Sequence, residues 1–371
     1  MESKGMTPPY RADHVGSLLR PQALLNAREQ RKQGKIGPAE LKAAEDAAIV
    51  QAVKLQEDAG LQGVTDGEYR RTFFHIDFLE KLEGVAVKGG MAMKFHSKSG
   101  ELEFAPPRME VVGKVRRRDG IVTGDFKFLK SVTRRTPKVC IPSPTMLHFR
   151  GGRKAVDAKA YPDIDEFFDD LALAYRQELK ALGELGATYV QLDDTNLAYL
   201  CDPAIRQRTK DIGEDPEKLP HLYAEVINKA IAGRPKDMSV CIHLCRGNFQ
   251  SAWVAEGGYE PVAEALFSEM KVDGYFLEYD DERSGDFRPL RFIPKGKMVV
   301  LGLISSKVPA LEPKDEIKRR IDEAAQFVDR SQLCLSPQCG FSSTVEGNKI
   351  SEVQEIAKLR LVVELAREVW A

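Results

Sequence analysis

From residue 40 onward, short β-branched or apolar runs alternate with longer stretches whose apolar residues recur at three- and four-residue spacing, the pattern of repeated βα units. Eight strands are predicted, near 12–17, 63–66, 139–142, 189–193, 239–244, 274–279, 298–303 and 333–336. Between them, AELKAAEDAAIVQAVKLQEDAG, DEFFDDLALAYRQELKALGELG and KDEIKRRIDEAAQFVD read as amphipathic helices, and two of the three end on Gly, a residue that closes a helix without strain. The order predicts an α/β protein, a single (β/α)8 TIM barrel over 1–371, although a doubly wound open sheet shares the pattern. Between the second and third strands, about 85–138, GELEFAPPRMEVVGKVRRRDGIVTGDFKFLKSV alternates in period two around Asp119-Gly120 and predicts a β-hairpin insertion.

Composition narrows the function. With 43% hydrophobic and 30% charged residues the chain buries a large core, and a net charge of −1 gives no field to draw it to nucleic acid or an anionic membrane. The N-terminal stretch carries prolines and charges where a signal peptide needs an apolar core, and eighteen apolar residues never run together, so a cytoplasmic protein acting on small molecules is expected. Six cysteines spread thinly over 371 residues do not make a disulfide scaffold; in a reducing compartment they are thiols available for metal binding or nucleophilic chemistry.

The strongest local signal is CIHLCRGNF, which ends the fifth predicted strand. His243 and Cys245 are two apart there, so on a strand they point to one side and can reach one ion. By itself the triplet is a weak signal, and a buried Cys beside a hydrogen-bonded His is its commoner meaning. Two further candidate ligands fall at equivalent places, Glu278 at the end of the next strand and Cys339 just after the last. Catalytic groups in a (β/α)8 barrel come from the C-terminal ends of several strands. One imidazole, two thiolates and one carboxylate suit zinc, because soft sulfur disfavours magnesium and calcium. Such a set leaves the ion electron-rich, a poor generator of hydroxide and a good holder of a substrate thiolate.

With these residues the chain resembles the catalytic barrel of cobalamin-independent methionine synthase and its short single-barrel relatives, over nearly its whole length. The carriers are HVGSLLRP (14–21), TDGEYRR (65–71), VQLDD (190–194) and the set at 243, 245, 278 and 337–340. The resemblance implies zinc on His243, Cys245, Glu278 and Cys339, binding the homocysteine sulfur. It also implies an amino-acid pocket in which the backbone of Gly16 and Ser17 meets the carboxylate while Glu68 and Asp193 grip the ammonium group. A salt bridge from Glu68 to Arg70 or Arg71 is the plain structural alternative for that acid. Asp194 faces the other way on an extended strand and reads as an ion-pair partner or helix cap. Phe149, in SPTMLHF, matches the family's aromatic residue that stacks on the folate ring; a Phe covering the barrel rim fits equally.

Two departures matter. Where the family has a histidine that helps protonate the departing folate nitrogen, GLISSKVP places Ile304. Full synthases also carry a second barrel that helps bind polyglutamyl folate, and 371 residues hold only the catalytic one. The methyl donor is therefore open among a folate, a methylated corrinoid protein and a methylated sulfur compound. His148 beside Phe149 is a candidate acid, and Arg116, Arg117 and Arg118 a candidate anion patch, although a charge run on a hairpin is usually a solvated face. Methylation of homocysteine to methionine is the first expectation. Addition of another thiol, such as coenzyme M, to an epoxide is the alternative. A structural zinc site and an amidohydrolase-like site are weaker, the first because the ligands lie far apart in sequence, sit at strand ends facing the barrel mouth and include a carboxylate that a thiol can displace, the second because two thiolates suit water activation poorly.

Overall fold

A computed structural model describes residues 7–90, 93–97 and 100–370. Eleven strands form among them: β1 (Gly63–Val64), β2 (Glu83–Gly90), β3 (Met93–Ser97), β4 (Gly100–Phe104), β5 (Pro107–Arg116), β6 (Thr136–Pro142), β7 (Tyr189–Asp194), β8 (Ser239–Leu244), β9 (Gly274–Glu278), β10 (Met298–Ile304) and β11 (Leu333–Pro337). Seven of them make one curled parallel sheet in the order β1-β6-β7-β8-β9-β10-β11, with helices in the crossovers, as in a TIM-like barrel.

The predicted strand at 12–17 is not a strand. Ala12 makes one parallel bridge to Leu335, and the Asp13 N–H donates to the Leu335 carbonyl at 3.0 Å. On the other side, Leu18 N–H donates to Gly67 O at 3.1 Å and Thr65 Oγ1 to Gly16 O at 2.6 Å. The segment thus runs between β11 and the end of β1 without a regular ladder. The cause is local: the Asp13 carboxylate accepts from the backbone of Tyr10 (3.0 Å) and His14 (2.8 Å), and Gly16 turns at φ 137°. Side-chain capture of backbone donors competes with strand pairing.

Residues 85–138 do not fold as one hairpin about Asp119-Gly120. β2 pairs antiparallel with β5, and β3 with β4. Asp119-Gly120 instead precedes the helix Thr123–Val132, because the buried Glu178 carboxylate accepts the N–H groups of Ile121 (3.0 Å) and Val122 (2.8 Å) and fixes a helix entry there. The insertion's far end docks on the loop after β8, where His96 and Trp253 exchange backbone hydrogen bonds at 2.6 and 2.8 Å.

Strand alternation sorts the core into two layers. Val190, Leu192, Val240, Ile242, Leu277, Leu301 and Leu335 face outward into the main hydrophobic core under the helices. Tyr189, Cys241, Phe276, Val300 and Cys334 face inward as a smaller cluster. This cluster surrounds a fully buried Lys138–Asp13 pair (3.1 Å), with the ammonium 4.1 Å from the Phe276 ring centre and the Tyr189 hydroxyl donating to Asp13 at 2.7 Å. Two residues further along the strands the inward positions become polar: Gln191 and Asp193 on β7, His243 on β8, Glu278 on β9. Burying such groups is costly unless they have partners or ligands, so the polar end of the sheet is where function is expected. No helix among the described residues is long and apolar enough to cross a membrane.

Candidate metal centre and substrate pocket

His243 and Cys245 reach one side from the end of β8, as the two-residue period requires, and Glu278 and Cys339 meet them from the ends of β9 and β11. One ligand atom from each of the four lies within 4.8 Å of the others, and all four residues are buried. Both His243 ring nitrogens and Glu278 Oε2 have no hydrogen-bond partner, while Glu278 Oε1 accepts from Arg246 N–H at 3.0 Å and is thereby oriented. Bonds of about 2.0–2.3 Å to a tetrahedral zinc put donors roughly 3.3–3.8 Å apart; the two sulfurs stand at 3.4 Å. Orphaned buried donors at this spacing fit a metal ion, and two thiolates with one imidazole fit zinc.

The charges around this group are balanced from behind. Arg283 lies 3.6 Å from Glu278 Oε2, the buried Arg246 guanidinium sits 4.6 Å over the Tyr259 ring, and the buried Lys307 ammonium has no hydrogen-bond partner. The hydrogen bond from Cys245, helped against burial by His243 and Lys307, holds the Cys339 thiol well below the usual range. The same contact, with burial, pushes Cys245 up.

Beside this centre lies an acidic pair. Glu68 is held at φ 61°, a left-handed conformation rare for a non-glycine residue, by the Asp66 carboxylate accepting its N–H at 2.8 Å. Donor atoms of Glu68, Cys140 and Asp193 lie within 4.8 Å of one another. A cation is already there: the Arg71 guanidinium is paired with Glu68 and lies 4.0 Å from Asp193 Oδ2. Gln191 donates to Asp193 Oδ1 at 2.7 Å, and burial raises the Asp193 carboxyl against the pull of Arg71 and His243. Gly16 is obligatory, since a Cβ there would lie 2.6 Å from Glu68 Oε1 and 2.7 Å from Cys140 Sγ. The Gly16 and Ser17 N–H groups find no acceptor among the described residues.

Ser17, Glu68, Asp193, His243, Cys245 and Cys339 line one open pocket of about 700 Å³. Its roof is aromatic, with Phe104 and Phe249 stacked at 4.3 Å and Phe95 beside them, two of these rings coming from β3 and β4 of the insertion. The structure does not bring Phe149 to this pocket. Phe149 packs edge-on against Tyr199 and Tyr223 and lines a neighbouring cavity. Asp194 turns outward and accepts from Thr145 Oγ1 (2.7 Å) and Leu197 N–H (2.9 Å), as a cap. Ile304 is buried in the outer core, and His148 is hydrogen-bonded to Tyr223 at 2.9 Å with its pKa lowered by burial to about 4, away from the pocket. Arg117 and Arg118 are taken up by Glu178 and Glu83. The aromatic roof, the Lys307 charge and the pocket positions of His75 and Arg150 are not among the features the sequence singles out. Of these only Lys307 left a signal, as the lone charge inside GLISSKVP.

The chain has relatives among known sequences and solved structures. The chain is 46% identical to the uncharacterized protein YxjH of Bacillus subtilis (strain 168) over 98% of its own length and 95% of that protein's. It is 28% identical to the methionine synthase of Pyrococcus abyssi (strain GE5 / Orsay), covering 88% of this chain and 84% of the relative. Among solved structures, a putative vitamin-B12 independent methionine synthase from Listeria monocytogenes is 36% identical, covers 98% of this chain and 99% of its own, and superposes with a TM-score of 0.78. The family described as "Cobalamin-independent synthase, Catalytic domain" matches residues 12–368, a span that takes in the four-residue donor group and the acidic pair. The chain therefore belongs to the cobalamin-independent methionine synthase catalytic-domain family of methyltransferases.

Proposed function

We propose that the protein is a zinc-dependent thiol methyltransferase that converts homocysteine to methionine, taking the methyl group from a methyltetrahydrofolate-type or other donor. In this reading residues 1–371 act in the cytoplasm as one (β/α)8 catalytic domain with an insertion over about 85–138. The observation that carries it is a shared wall: the thiol ligands Cys245 and Cys339 line the same pocket as Ser17, Glu68 and Asp193. His243, Cys245, Glu278 and Cys339 would hold zinc, which would supply a Lewis acid able to lower the pKa of an incoming thiol at neutral pH without making a strong hydroxide.

The chain's own residues do the rest. The free amides of Gly16 and Ser17 take the amino-acid carboxylate, and Glu68 with Asp193 takes the ammonium, displacing the Arg71 guanidinium that now neutralises them. Exchange of one cation for another keeps the buried carboxylates paired throughout. The aromatic roof excludes water, and Phe149 braces Tyr199 from behind. The decisive test is metal analysis with substrate titration. Purified protein should hold about one zinc per chain, and homocysteine should release a proton on binding at neutral pH. Absence of zinc, or of thiol-dependent proton release, sinks the reading. Incubation with a methylfolate, a methylated corrinoid protein and a methylated sulfur compound, read by mass spectrometry for methionine, then identifies the donor.

Two observations favour a second reading. Arg71 already occupies the acidic pair, and Ile304 stands where the family's proton donor belongs. A thiol bearing a sulfonate rather than an ammonium would find a guanidinium facing it, as needed for joining coenzyme M to an epoxide. Thioether formation from coenzyme M and an epoxide, with homocysteine inert, would establish that reading over the first.

A further inference from the structure

A guanidinium that lines a pocket normally has a carboxylate of its own, and Arg150 has none. Arg150 makes no hydrogen bond or ion pair among the described residues, and its Nε is buried without a partner. His75 lines the same pocket, is 2% exposed, and has no hydrogen-bond partner at either ring nitrogen. The backbone that carries each residue is held in place. The loop carrying His75 is pinned by Asp77, which accepts the N–H groups of Thr72 (2.9 Å) and Phe73 (2.8 Å). Arg150 sits in the turn closed by Gly151 and Gly152 N–H bonds to His148 O at 3.2 and 2.8 Å.

The acids that line this pocket are already engaged, Glu68 by Arg71 and Asp193 by Gln191. Leaving a partly buried guanidinium and a buried imidazole unpaired is costly, and a planar fork of donors is the usual way to bind an oxyanion. We infer that Arg150, assisted by His75, forms an oxyanion-binding subsite for the alkyl donor, so that the donor carries a carboxylate, sulfonate or phosphate group. The inference rests on the reading above, in which the acceptor's carboxylate belongs to Gly16 and Ser17 and leaves Arg150 to the second substrate. Burial, reinforced by the charges of Arg150 and Arg71, holds the His75 imidazole neutral without a ligand, and an anion would relieve that penalty.

The test is calorimetric titration of the zinc-loaded protein with propionate, methanesulfonate and inorganic phosphate, each with and without saturating homocysteine. At least one anion should bind in both conditions. Arg150→Gln should weaken it by about tenfold or more, Arg150→Lys by less because charge is kept and the fork is lost, and His75→Phe by several-fold. Zinc content and homocysteine-dependent proton release should be unchanged in Arg150→Gln, which shows that the variant is folded; if it does not fold, Arg150→Lys and His75→Phe decide. No anion binding, binding indifferent to these substitutions, or mutual exclusion between anion and homocysteine would each overturn the inference. Loss of proton release in the unmodified protein would instead count against the thiol reading alone.

Discussion

Cys245 and Cys339 come from loops 94 residues apart, and their sulfurs stand 3.4 Å from each other with His243 and Glu278 alongside. That is a ligand separation, too long for a disulfide and too short for two thiolates to share without a cation. Cys245→Ser or Cys339→Ser should therefore drop bound zinc from about one per chain to a small fraction, measured by elemental analysis after dialysis. Cys140→Ser and Cys334→Ser, whose sulfurs donate to the Val15 and Pro9 carbonyls and lie outside the four-residue donor group, should keep it. Equal loss in all four would mean that the metal sits elsewhere.

Glu68 and Asp193 face one cationic position from β1 and β7 ends. Glu68→Gln or Asp193→Asn should raise the KM for homocysteine roughly 10- to 100-fold, the worth of one charge-assisted contact, with zinc content intact. A fall in kcat with KM unmoved would assign these acids to something other than the ammonium group.

Gly340 abuts Ser17 so closely that an added Cβ would lie 1.9 Å from the Ser17 hydroxyl oxygen. Gly340→Ala should destabilise the fold by about 1–3 kcal/mol in urea unfolding, the usual cost of overpacking. Much of that loss should return in Ser17→Ala/Gly340→Ala, since the nearest obstacle is gone. Strict additivity of the two substitutions would show that the strain is relieved elsewhere.

Glu355 is buried where its carboxyl accepts the Leu19 N–H at 3.0 Å, and burial pushes its pKa up to about 8. The folded chain then keeps a proton that the unfolded chain releases near the ordinary glutamate value of about 4.3, so between those pH values stability falls as pH rises, by up to about 1.4 kcal/mol per unit from this group. Glu355→Gln retains the acceptor oxygen and removes the titration. It should match the parent near pH 5 and exceed it at pH 8 in denaturant midpoint; an identical pH slope in both proteins would refute the assignment.

Much of the site was legible in the residues because its geometry is local. The step from His243 to Cys245 is set by the period of a strand, Glu278 ends the next strand and Cys339 follows the last one, and the apolar runs of these strands announce themselves. Asp194's outward cap follows from the same alternation. Gly16 enters the pocket only through the family resemblance, and the crowding by Glu68 and Cys140 that demands a glycine is visible only in three dimensions.

The residues alone therefore set the run of βα units, which side each strand residue faces, and the donor types gathered at one end. Tertiary structure decided the rest, because non-local partners are not encoded in a period. Asp13 draws two backbone donors away from the expected first strand, and Glu178 turns Asp119-Gly120 from a hairpin tip into a helix entry. Arg71 closes on Glu68 through a left-handed turn, Phe149 ends behind Tyr199, and His75 and Arg150 reach a pocket beside thiolates hundreds or tens of residues away. In each case a buried charge or ring goes wherever packing supplies a partner, and that competition is settled by the folded whole.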